Sequence, residues 1–281
     1  MTRRFEGKSV FITGASSGIG AAVAKAFAAE GAKVALLARR TDKLEQVKHE
    51  IEAVGGRAVL FQCDVTDVEG LKAAAEQAVQ AFGGIDVVLA NAGFGISGPF
   101  ENLSVDAFRR QFEVNVFGMM NTIYATLPAL KQSKGRLGLL GSVAGRLGMP
   151  MTSPYNVSKY AVIGLAECIY HEFDEVGISV TSIIPGFIES EIRSVNNDGV
   201  YTGNPDPVPA MFIMPVEKAA RLIVDALFRR RPELILTRLG KLALLINRIS
   251  PALTRWTIRR FTRGKLAEFQ KKRRAVENTA K

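Results

Sequence analysis

Tyr155 and Lys159 are the two side chains whose types and spacing best fit acid–base chemistry. They lie four positions apart in the segment Tyr-Asn-Val-Ser-Lys, which places both on one face of a helix. A free tyrosine titrates near pH ~10, and an ammonium group beside it stabilises the phenolate. We therefore expect Lys159 to lower the pKa of Tyr155 toward working pH, as proton transfer requires. Such a pair is also common in purely structural helices, so its meaning depends on neighbouring residues.

Two further polar residues stand where a catalytic group could be positioned. Ser142 follows an apolar, strand-like segment in Gly-Ser-Val-Ala-Gly, and Asn115 lies in the middle of a long helical pattern. The chain has two histidines and two cysteines, and neither type shows the spacing of a catalytic triad, a metal site or a redox motif. We therefore predict no metal site and two reduced thiols.

A glycine-rich turn near the amino terminus predicts a phosphate-binding site. Residues 13–20, Thr-Gly-Ala-Ser-Ser-Gly-Ile-Gly, join a short apolar strand to an alanine-rich helix. The glycines allow a tight turn, a close approach of backbone to pyrophosphate, and close packing of helix on strand, while the helix terminus offers N–H groups to phosphate. A structural turn would look the same alone, but its place at the start of a βαβ unit favours a dinucleotide. We predict cofactor contacts from Gly14, Ser16, Ser17, Gly18, Ile19 and Gly20.

The end of the second predicted strand indicates which dinucleotide binds. A site for NAD(H) usually has an acidic residue here, which accepts a hydrogen bond from the ribose 2′-hydroxyl. This chain instead has Ala38 followed by Arg39 and Arg40. An acid would repel a 2′-phosphate, whereas a guanidinium offers it charge and several donors. We predict NADP(H), with NAD(H) as the less favoured cofactor and two solvated arginines as the structural alternative.

The third and fourth predicted strands end in residues that suit the rest of the cofactor. Asp64, followed by Val65, is placed to reach the adenine or, alternatively, to cap the next helix. After the following strand, Asn91, Ala92 and Gly93 form a small-residue turn that would let the cofactor lie close to the backbone.

Taken together, these motifs resemble those of the short-chain dehydrogenase/reductase family. The resemblance covers about residues 5–230, and it is specific because the motifs agree in type, order and spacing. They are the glycine-rich turn at 13–20, Asp64, Asn91 to Gly93, Asn115, Ser142, Tyr155 with Lys159, and the pair Pro185 and Gly186.

The resemblance implies a role for each catalytic position. Ser142 would donate a hydrogen bond to the substrate oxygen, and Tyr155 would pass its proton to that oxygen as hydride reaches the carbon. Lys159 would hold the ribose hydroxyls of the nicotinamide in addition to lowering the pKa of Tyr155. Asn115 is similar to a family residue that holds a water molecule and links Lys159 to solvent. Tyr155 and Lys159 therefore also count among the cofactor contacts.

Residues 185–190, Pro-Gly-Phe-Ile-Glu-Ser, resemble the family segment that lies beside the nicotinamide. From this resemblance we predict cofactor contacts by Pro185, Gly186, Ile188 and Ser190. The family often has Val and Thr where this chain has Ile188 and Ser190. Both replacements keep the backbone groups or the hydroxyl that the contact uses.

These residues need a scaffold that brings distant parts of the chain together. Apolar strands are predicted at 8–13, 34–38, 57–62, 85–90, 136–141 and 178–184, alternating with helices at 19–30, 41–53, 67–82, 104–132 and 155–176. This alternation is typical of an α/β fold with a single Rossmann-type, doubly wound parallel sheet and helices on both faces. We predict a catalytic domain over residues 1–232, a substrate loop or lid at 189–215, and a basic helical tail over 233–281.

The last 53 residues, which include the tail, carry all of the basic excess of the chain. Residues 229–281 contain 16 Lys or Arg and 3 acids, a net charge of +13, whereas the whole chain has +10. From Leu239 to Trp256, apolar residues recur at steps of three and four, and basic residues recur every seventh position. This pattern predicts a basic amphipathic helix that ends or kinks before Pro251. A second basic stretch follows at 259–263, and another at 271–274.

Three interpretations of the tail stay open at this point. The tail can cap the core or a partner subunit, lie in the interface of an anionic membrane, or bind nucleic acid. We predict no nucleic-acid partner, because the apolar residues that recur from Leu239 to Trp256, here called the apolar seam, would make no favourable contact with phosphate backbones. Such a tail resembles those of family members that work on lipophilic substrates at membranes. This resemblance makes a steroid-like ketone or a long-chain keto-lipid the preferred substrate class.

The sequence therefore predicts an NADPH-dependent ketone reductase or alcohol dehydrogenase of a lipophilic substrate, with Tyr155 as general acid or base. A non-catalytic NADP(H)-binding scaffold or sensor at a membrane is the alternative. The amino terminus lacks a signal-peptide pattern, and the chain has no run of 18 uncharged apolar residues. We expect a cytoplasmic protein, peripheral on the membrane, and the family resemblance implies a homodimer or homotetramer.

Overall fold

The computed structural model describes residues 3–194, 197, 206 and 208–264. By its internal contacts the chain divides into two units, Met1–Thr237 and Arg238–Lys281. The first unit contains the sheet and the cleft described below, and the second contains the helical part of the predicted tail.

Seven strands of the first unit form one parallel sheet. They are β1 (Ser9–Thr13), β2 (Lys33–Ala38), β3 (Arg57–Gln62), β4 (Val87–Ala90), β5 (Arg136–Leu140), β6 (Ser179–Ile184) and β7 (Glu233–Ile235). Their order across the sheet is β3-β2-β1-β4-β5-β6-β7, and every neighbouring pair is parallel. Between β1 and β4 the strand order reverses, so the loops after these two strands diverge and leave a crevice at their carboxyl ends.

Helices cover both faces of this sheet. Those of the first unit are α1 (Gly18–Ala29), α2 (Thr41–Glu52), α3 (Val68–Phe82), α4 (Val105–Phe112), α5 (Gly118–Ser133), α6 (Ser153–Asp174) and α7 (Val216–Phe228). The predicted α/β fold with a doubly wound parallel sheet is confirmed.

The side chains of β1 show why the strands are continuous apolar runs. Val10 and Ile12 belong to the hydrophobic core shared with α1, α2 and α7, whereas Phe11 belongs to the core shared with α3, α5 and α6. Successive side chains of a strand point to opposite faces, so a strand covered on both faces must be apolar throughout. The same holds for β4, in which every residue is buried.

The sheet extends past the predicted domain boundary at residue 232. Sequence analysis assigned residues 233–281 to the tail, but Glu233–Ile235 forms β7, which pairs with β6 from Ser182 to Ile184. Three residues are too few to produce a periodic signal, so this strand is visible only through its pairing. The tail therefore begins later than predicted, with α8 at Arg238.

The helix predicted over residues 104–132 consists of three consecutive segments. Ser104 caps α4 by accepting a hydrogen bond from the N–H of Ala107 at 3.2 Å. Residues Glu113–Phe117 then form a π-helical turn, and α5 begins at Gly118. A π-helical turn inserts one extra residue into a helix and often occurs at functional sites. Here it contains Asn115.

The predicted substrate loop at 189–215 is closed at its base by a β-bridge. The bridge joins Ile188 to Met214, where the N–H of Glu189 donates to the carbonyl of Met214 and the N–H of Met214 to the carbonyl of Phe187, both at 3.0 Å. Within the loop, Glu191–Ser194 and Ala210–Phe212 form 3₁₀ turns. Residues 195–196, 198–205 and 207 lie outside the described residues.

The second unit begins with α8 (Arg238–Ile249), which ends where Pro251 predicts it should, and helical residues 251–264 follow. The predicted apolar seam is exposed to solvent: Leu242 is 54% exposed, Ile249 76% and Trp256 65%. The basic stretch at 271–274 lies outside the described residues. Among the helices that the structure describes, none combines the length and apolarity needed to cross a bilayer.

Phe5 packs the amino-terminal segment against the hydrophobic core shared with α1, α2 and α7, and this packing can be tested. It is 1% exposed, and its ring meets that of Phe27 edge to face with centroids 4.8 Å apart. Phe5→Ala is expected to lower the free energy of unfolding by about 3–5 kcal/mol, because the lost ring leaves a cavity. Urea denaturation measures this change. Phe100→Ala, at a ring 73% exposed, is the control and should change stability by under about 1 kcal/mol. Equal losses in the two variants would contradict this packing.

Candidate active site

A cleft of about 780 Å³ lies at the carboxyl ends of the strands, around the point where β1 and β4 are neighbours. Nearly all predicted site residues line it. They are Gly14, Ser16, Ser17, Gly18, Ile19, Arg39, Arg40, Asp64, Val65, Asn91, Ala92, Gly93, Ser142, Tyr155, Lys159, Pro185, Gly186, Ile188 and Ser190. The remaining two, Gly20 and Asn115, lie behind the cleft wall, and each contacts backbone that forms it.

The turn after β1 depends on packing that only glycine permits. Gly14 has a positive φ of +67°, and a Cβ added to Gly20 would overlap the carbonyl oxygen of Gly14. Asn91 fixes the same turn from the end of β4, because its side-chain amide donates to the carbonyls of Thr13 and Gly14 at 2.9 and 3.1 Å. Asn91, predicted as a cofactor contact, therefore also holds the turn that carries other predicted contacts.

Helix α1 directs its amino terminus toward the cleft without a side-chain cap. Ser17 stands at the N-cap position, yet among the described residues its side chain makes no capping hydrogen bond. Its hydroxyl instead accepts a hydrogen bond from Arg40 at 2.7 Å. The N–H groups and positive dipole end of α1 thus remain directed at the cleft, which favours a phosphate there. The glycine turn, the uncapped helix and the arginine together fit a dinucleotide.

Arg39 and Arg40 make different contacts beyond the end of β2. The side chain of Arg39 is 69% exposed and lies 3.6 Å from the carboxylate of Asp64. Arg40 donates to the hydroxyls of Ser16 and Ser17 at 3.2 and 2.7 Å, and to the carboxylate of Glu191 at 3.1 Å. Both guanidinium groups line the cleft, and neither is simply solvated.

Asp64 does not cap the helix that follows it. Its carboxylate accepts hydrogen bonds from the N–H and the hydroxyl of Thr66 at 3.0 and 2.9 Å, in a local turn. The N-cap of α3 is Asp67, which accepts from the N–H of Gly70 at 3.0 Å. The capping alternative for Asp64 is therefore wrong.

Among the described residues, no group of three His, Cys, Asp or Glu side chains is arranged to hold a metal ion.

Lys159 is a buried cation whose ammonium group reaches the end of β5. It is 3% exposed, and Nζ donates to the carbonyl oxygen of Leu140 at 2.6 Å. The same nitrogen lies 5.8 Å from the centroid of the Tyr155 ring. Burial lowers the pKa of Lys159 to about 8, because the charged form loses its hydration.

The pKa of Tyr155 is raised, not lowered as the sequence predicted. Burial disfavours the phenolate most strongly, while a side-chain hydrogen bond with Ser142 and the charge of Arg193 act in the opposite direction. The expected effect of Lys159 is missing because its ammonium is directed at Leu140 and its own charged form is disfavoured by burial. Tyr155 therefore keeps its proton at neutral pH.

Ser142 joins the end of β5 to this group of residues. Its Oγ accepts a hydrogen bond from the N–H of Ala144 at 3.1 Å and so caps a short 3₁₀ turn, Val143–Gly145. The N–H of Val143 donates to the carbonyl of Pro185 at 2.9 Å, which ties the end of β5 to the end of β6. Ser142, Tyr155 and Lys159 thus form one wall of the cleft.

Asn115 supports the segment that follows β4. It is fully buried, and its side chain exchanges hydrogen bonds with the N–H and carbonyl of Phe94 at 3.1 and 3.0 Å, and donates to the Ser158 hydroxyl at 3.1 Å. Gln111, one turn earlier and also buried, accepts from the N–H of Ile96 at 2.7 Å. Gln111 was not among the predicted site residues, although its i,i+4 spacing from Asn115 was an available signal. The water-holding role of Asn115 stays a prediction.

Arg193 lines the cleft although it was not among the predicted site residues. Its guanidinium donates to both carboxylate oxygens of Asp206 and, at 2.8 Å, to the carbonyl of Ile188. It also lies 5.9 Å from the centroid of the Phe187 ring. An arginine in a polar loop carries no periodic or motif signal, so only the fold shows that its charge affects Tyr155.

Comparison with known families and proteins agrees with this architecture. The family model described as short chain dehydrogenase matches residues 8–200. Dehydrogenase/reductase SDR family member 7B of Mus musculus is 31% identical over 252 residues, covering 87% of this chain and 78% of the mouse protein. The fatty acyl-CoA reductase of Acinetobacter baylyi is 34% identical over 250 residues, covering 88% of this chain and 81% of that protein.

Two solved structures share the fold. A short chain dehydrogenase/reductase from Burkholderia phymatum in complex with NAD has a TM-score of 0.79 at 24% identity, and the match covers 89% of this chain and 96% of that one. An alcohol dehydrogenase from the archaeon Thermococcus sibiricus, complexed with 5-hydroxy-NADP, has a TM-score of 0.71 at 29% identity and covers 82% and 95% of the two chains.

The buried ammonium of Lys159 predicts a pH dependence of stability. The unfolded chain titrates this lysine near pH ~10.4, whereas the folded protein does so near pH 8. Between these values the unfolded state binds more protons, so this lysine makes stability rise with pH. From about pH 7 to about pH 10.5, wild type is expected to gain up to about 3 kcal/mol in free energy of unfolding relative to Lys159→Met.

Urea denaturation at stepwise pH measures this difference. Lys131→Met, at an exposed lysine of α5, is the control and should run parallel to wild type. A difference between wild type and Lys159→Met that stays constant with pH would contradict the buried charge.

Proposed function

Because this chain belongs to the short-chain dehydrogenase family, we propose that it is an NADP(H)-dependent oxidoreductase acting on a carbonyl carbon of a lipophilic substrate. The observation that carries the proposal is the placement of Ser142, Tyr155 and Lys159 together in the lining of one cleft, with the Lys159 nitrogen 5.8 Å from the centroid of the Tyr155 ring. The other wall holds the glycine turn and the uncapped terminus of α1, which fit the phosphates of a dinucleotide.

In this proposal each residue acts at a stated atom of the substrate. The bound nicotinamide supplies the hydride. Ser142 donates from Oγ to the carbonyl oxygen and holds it beside the phenol. Tyr155 then transfers its proton to that oxygen as negative charge develops there. Ser142 and the charge of Arg193 stabilise the phenolate that remains, while the hydrogen bond to Leu140 holds the ammonium of Lys159 in place beside the ring.

We propose carbonyl reduction as the working direction, because Tyr155 is protonated at neutral pH. A phenol that keeps its proton at neutral pH is a ready proton donor, whereas alcohol oxidation needs a phenolate to accept one. Arg193 and Ser142 limit the rise by stabilising the negative charge that the reaction creates. We therefore propose NADPH, the reduced cofactor, as the cosubstrate.

The preference for the 2′-phosphorylated cofactor rests on the end of β2. Ala38 supplies no acid for a ribose hydroxyl, and Arg39 and Arg40 place two cationic groups at the cleft. The two solved structures contain NAD in one case and a derivative of NADP in the other, so they support a nicotinamide dinucleotide in general.

The lipophilic substrate class rests on exposed apolar groups near the loop. Phe187, at its base, is 40% exposed, and Met211 and Phe212, in its second 3₁₀ turn, are 83% and 46% exposed. Met149, in the segment that precedes α6, is also exposed, at 41%. The Acinetobacter baylyi relative is named a fatty acyl-CoA reductase, and a fatty acyl group is lipophilic, which supports the same class.

We also propose that the tail binds an anionic membrane surface. Its apolar seam includes Leu242, Ile249 and Trp256, which are 54%, 76% and 65% exposed. Exposed basic residues, among them Arg248 and Arg255, share the same helices. The apolar seam would insert between the lipid headgroups. The basic residues would then lie against anionic lipid, and each would contribute about 1 kcal/mol of binding free energy.

Replacing the phenol tests the catalytic proposal. Tyr155→Phe is expected to lower kcat about 10²- to 10⁴-fold, because the substrate oxygen loses its proton donor. The measurement is NADPH oxidation with a panel of apolar ketones. Tyr160→Phe, at a tyrosine 47% exposed, is the control and should retain wild-type turnover. Full activity in Tyr155→Phe would refute this role. NADPH binding without turnover on any ketone would instead favour the non-catalytic scaffold.

Removing the exposed seam tests the membrane proposal. A variant carrying Leu242→Ser, Ile249→Ser and Trp256→Ser is expected to lose flotation with phosphatidylglycerol vesicles while keeping its thermal unfolding midpoint. The expected cause is the loss of apolar insertion, since these side chains are exposed in the protein itself.

The matched control changes three exposed apolar residues outside the tail: Val54→Ser, Phe100→Ser and Val105→Ser, 72%, 73% and 66% exposed. This variant should still float with the vesicles. A tail variant that unfolds at a much lower temperature would instead support the interpretation of the tail as a cap.

A further inference from the structure

Arg40 lies at the centre of a polar cluster at one end of the cleft. One of its nitrogens, Nη1, donates to the Glu191 carboxylate at 3.1 Å, and the other, Nη2, donates to the hydroxyls of Ser17 and Ser16 at 2.7 and 3.2 Å. The two serines belong to the phosphate turn, whereas Glu191 opens a 3₁₀ turn of the substrate loop. The cluster therefore joins the cofactor side of the cleft to the substrate side.

The surroundings of this cluster favour an anion. The uncapped terminus of α1 begins next to Ser17, and the guanidinium of Arg39, 69% exposed, stands beside Arg40 in the chain. The end of β2 itself has Ala38 where an acid would exclude a 2′-phosphate. The fold nevertheless brings an acid to this end of the cleft, from a residue 151 positions away in sequence.

We propose that Glu191 is a cofactor-specificity residue whose carboxylate competes with the cofactor 2′-phosphate for Arg40. This inference rests on the NADP(H) site proposed above. A phosphate carries more charge than a carboxylate and offers more acceptor oxygens to a guanidinium, so it displaces Glu191. A 2′-hydroxyl carries no charge and leaves the Arg40–Glu191 pair in place. Glu191 thus reduces the difference in binding affinity between NADPH and NADH.

The exposure of the pair makes this exchange possible. The side chains of Arg40 and Glu191 are 42% and 37% exposed, and ion pairs at such sites are weak because water screens them. The Arg193–Asp206 pair in the same loop is less exposed, at 19% and 25%, and is held by several hydrogen bonds. A phosphate therefore displaces Glu191 without disrupting the rest of the loop.

Binding measurements with Glu191→Gln test the inference on the full chain. We expect the Kd for NADPH to fall about two- to fivefold, the size of one exposed ion pair. The Kd for NADH should not fall, because this cofactor does not compete for Arg40. Fluorescence titration of both cofactors gives the ratio of the two constants, and this ratio is the measured quantity.

Glu189→Gln is the matched control, since it makes the same chemical change two positions away. The side chain of Glu189 is exposed and forms no ion pair with the described residues. Glu189→Gln is expected to leave the ratio unchanged. An equal change of the ratio in both variants would mean a general effect of loop charge and would overturn the inference.

A double-mutant cycle locates the effect at Arg40. In the Arg40→Met background, Glu191→Gln is expected to leave the Kd for NADPH unchanged, because the competed group is gone. An improvement that persists in this background, or a ratio unaltered by Glu191→Gln in wild type, would overturn the inference. A wild-type protein that binds NADH as tightly as NADPH would refute the proposed cofactor preference, which does not depend on Glu191.

Discussion

The parallel arrangement of the strands is the constraint on which the site depends. Because all strands run the same way, the residues that follow them gather at one edge of the sheet. The glycine turn after β1, Asn91 after β4, Ser142 after β5 and Pro185 after β6 meet there although they are far apart in sequence. Hydrogen bonds of 2.9 Å then connect these loops, as between Asn91 and Thr13 and between Val143 and Pro185. The position of the cleft is therefore set by the parallel sheet and not by any single side chain.

Within that cleft, loss of water decides the protonation of the two reactive groups. Burial favours the neutral form of both Tyr155 and Lys159, so the phenol keeps its proton and the pKa of the lysine falls to about 8. The carbonyl of Leu140 compensates part of the cost of the buried ammonium by accepting its hydrogen bond. Ser142 and Arg193 act on Tyr155 from other elements. The acid–base character of the site therefore comes from three parts of the chain, namely α6, the end of β5 and the turn Glu191–Ser194, and not from one helical turn.

Charged groups also connect the cofactor end of the cleft to the substrate loop. Glu191 and Arg193 both belong to the 3₁₀ turn Glu191–Ser194 and face different partners: Arg40 for the first, Asp206 and the carbonyl of Ile188 for the second. The first pair is the more exposed and thus the easier to exchange. A loop with one firm and one exchangeable ionic contact can respond to what binds near Arg40 while its base stays bridged at Ile188 and Met214.

The sequence alone determined the fold class, the position of most elements and many of the residues that line the cleft. It could do so because buried strands and amphipathic helices leave regular apolar patterns, and because glycine turns and the Tyr-x-x-x-Lys spacing have local physical causes. Only the tertiary structure showed strand β7, the π-helical turn around Asn115 and the hydrogen bond from Ile96 to Gln111. It also showed that Glu191 and Arg193 lie at the cleft. It also reversed the expected pKa shift of Tyr155. Pairing, burial and long-range ion pairs depend on residues distant in the chain, and no local pattern contains that information.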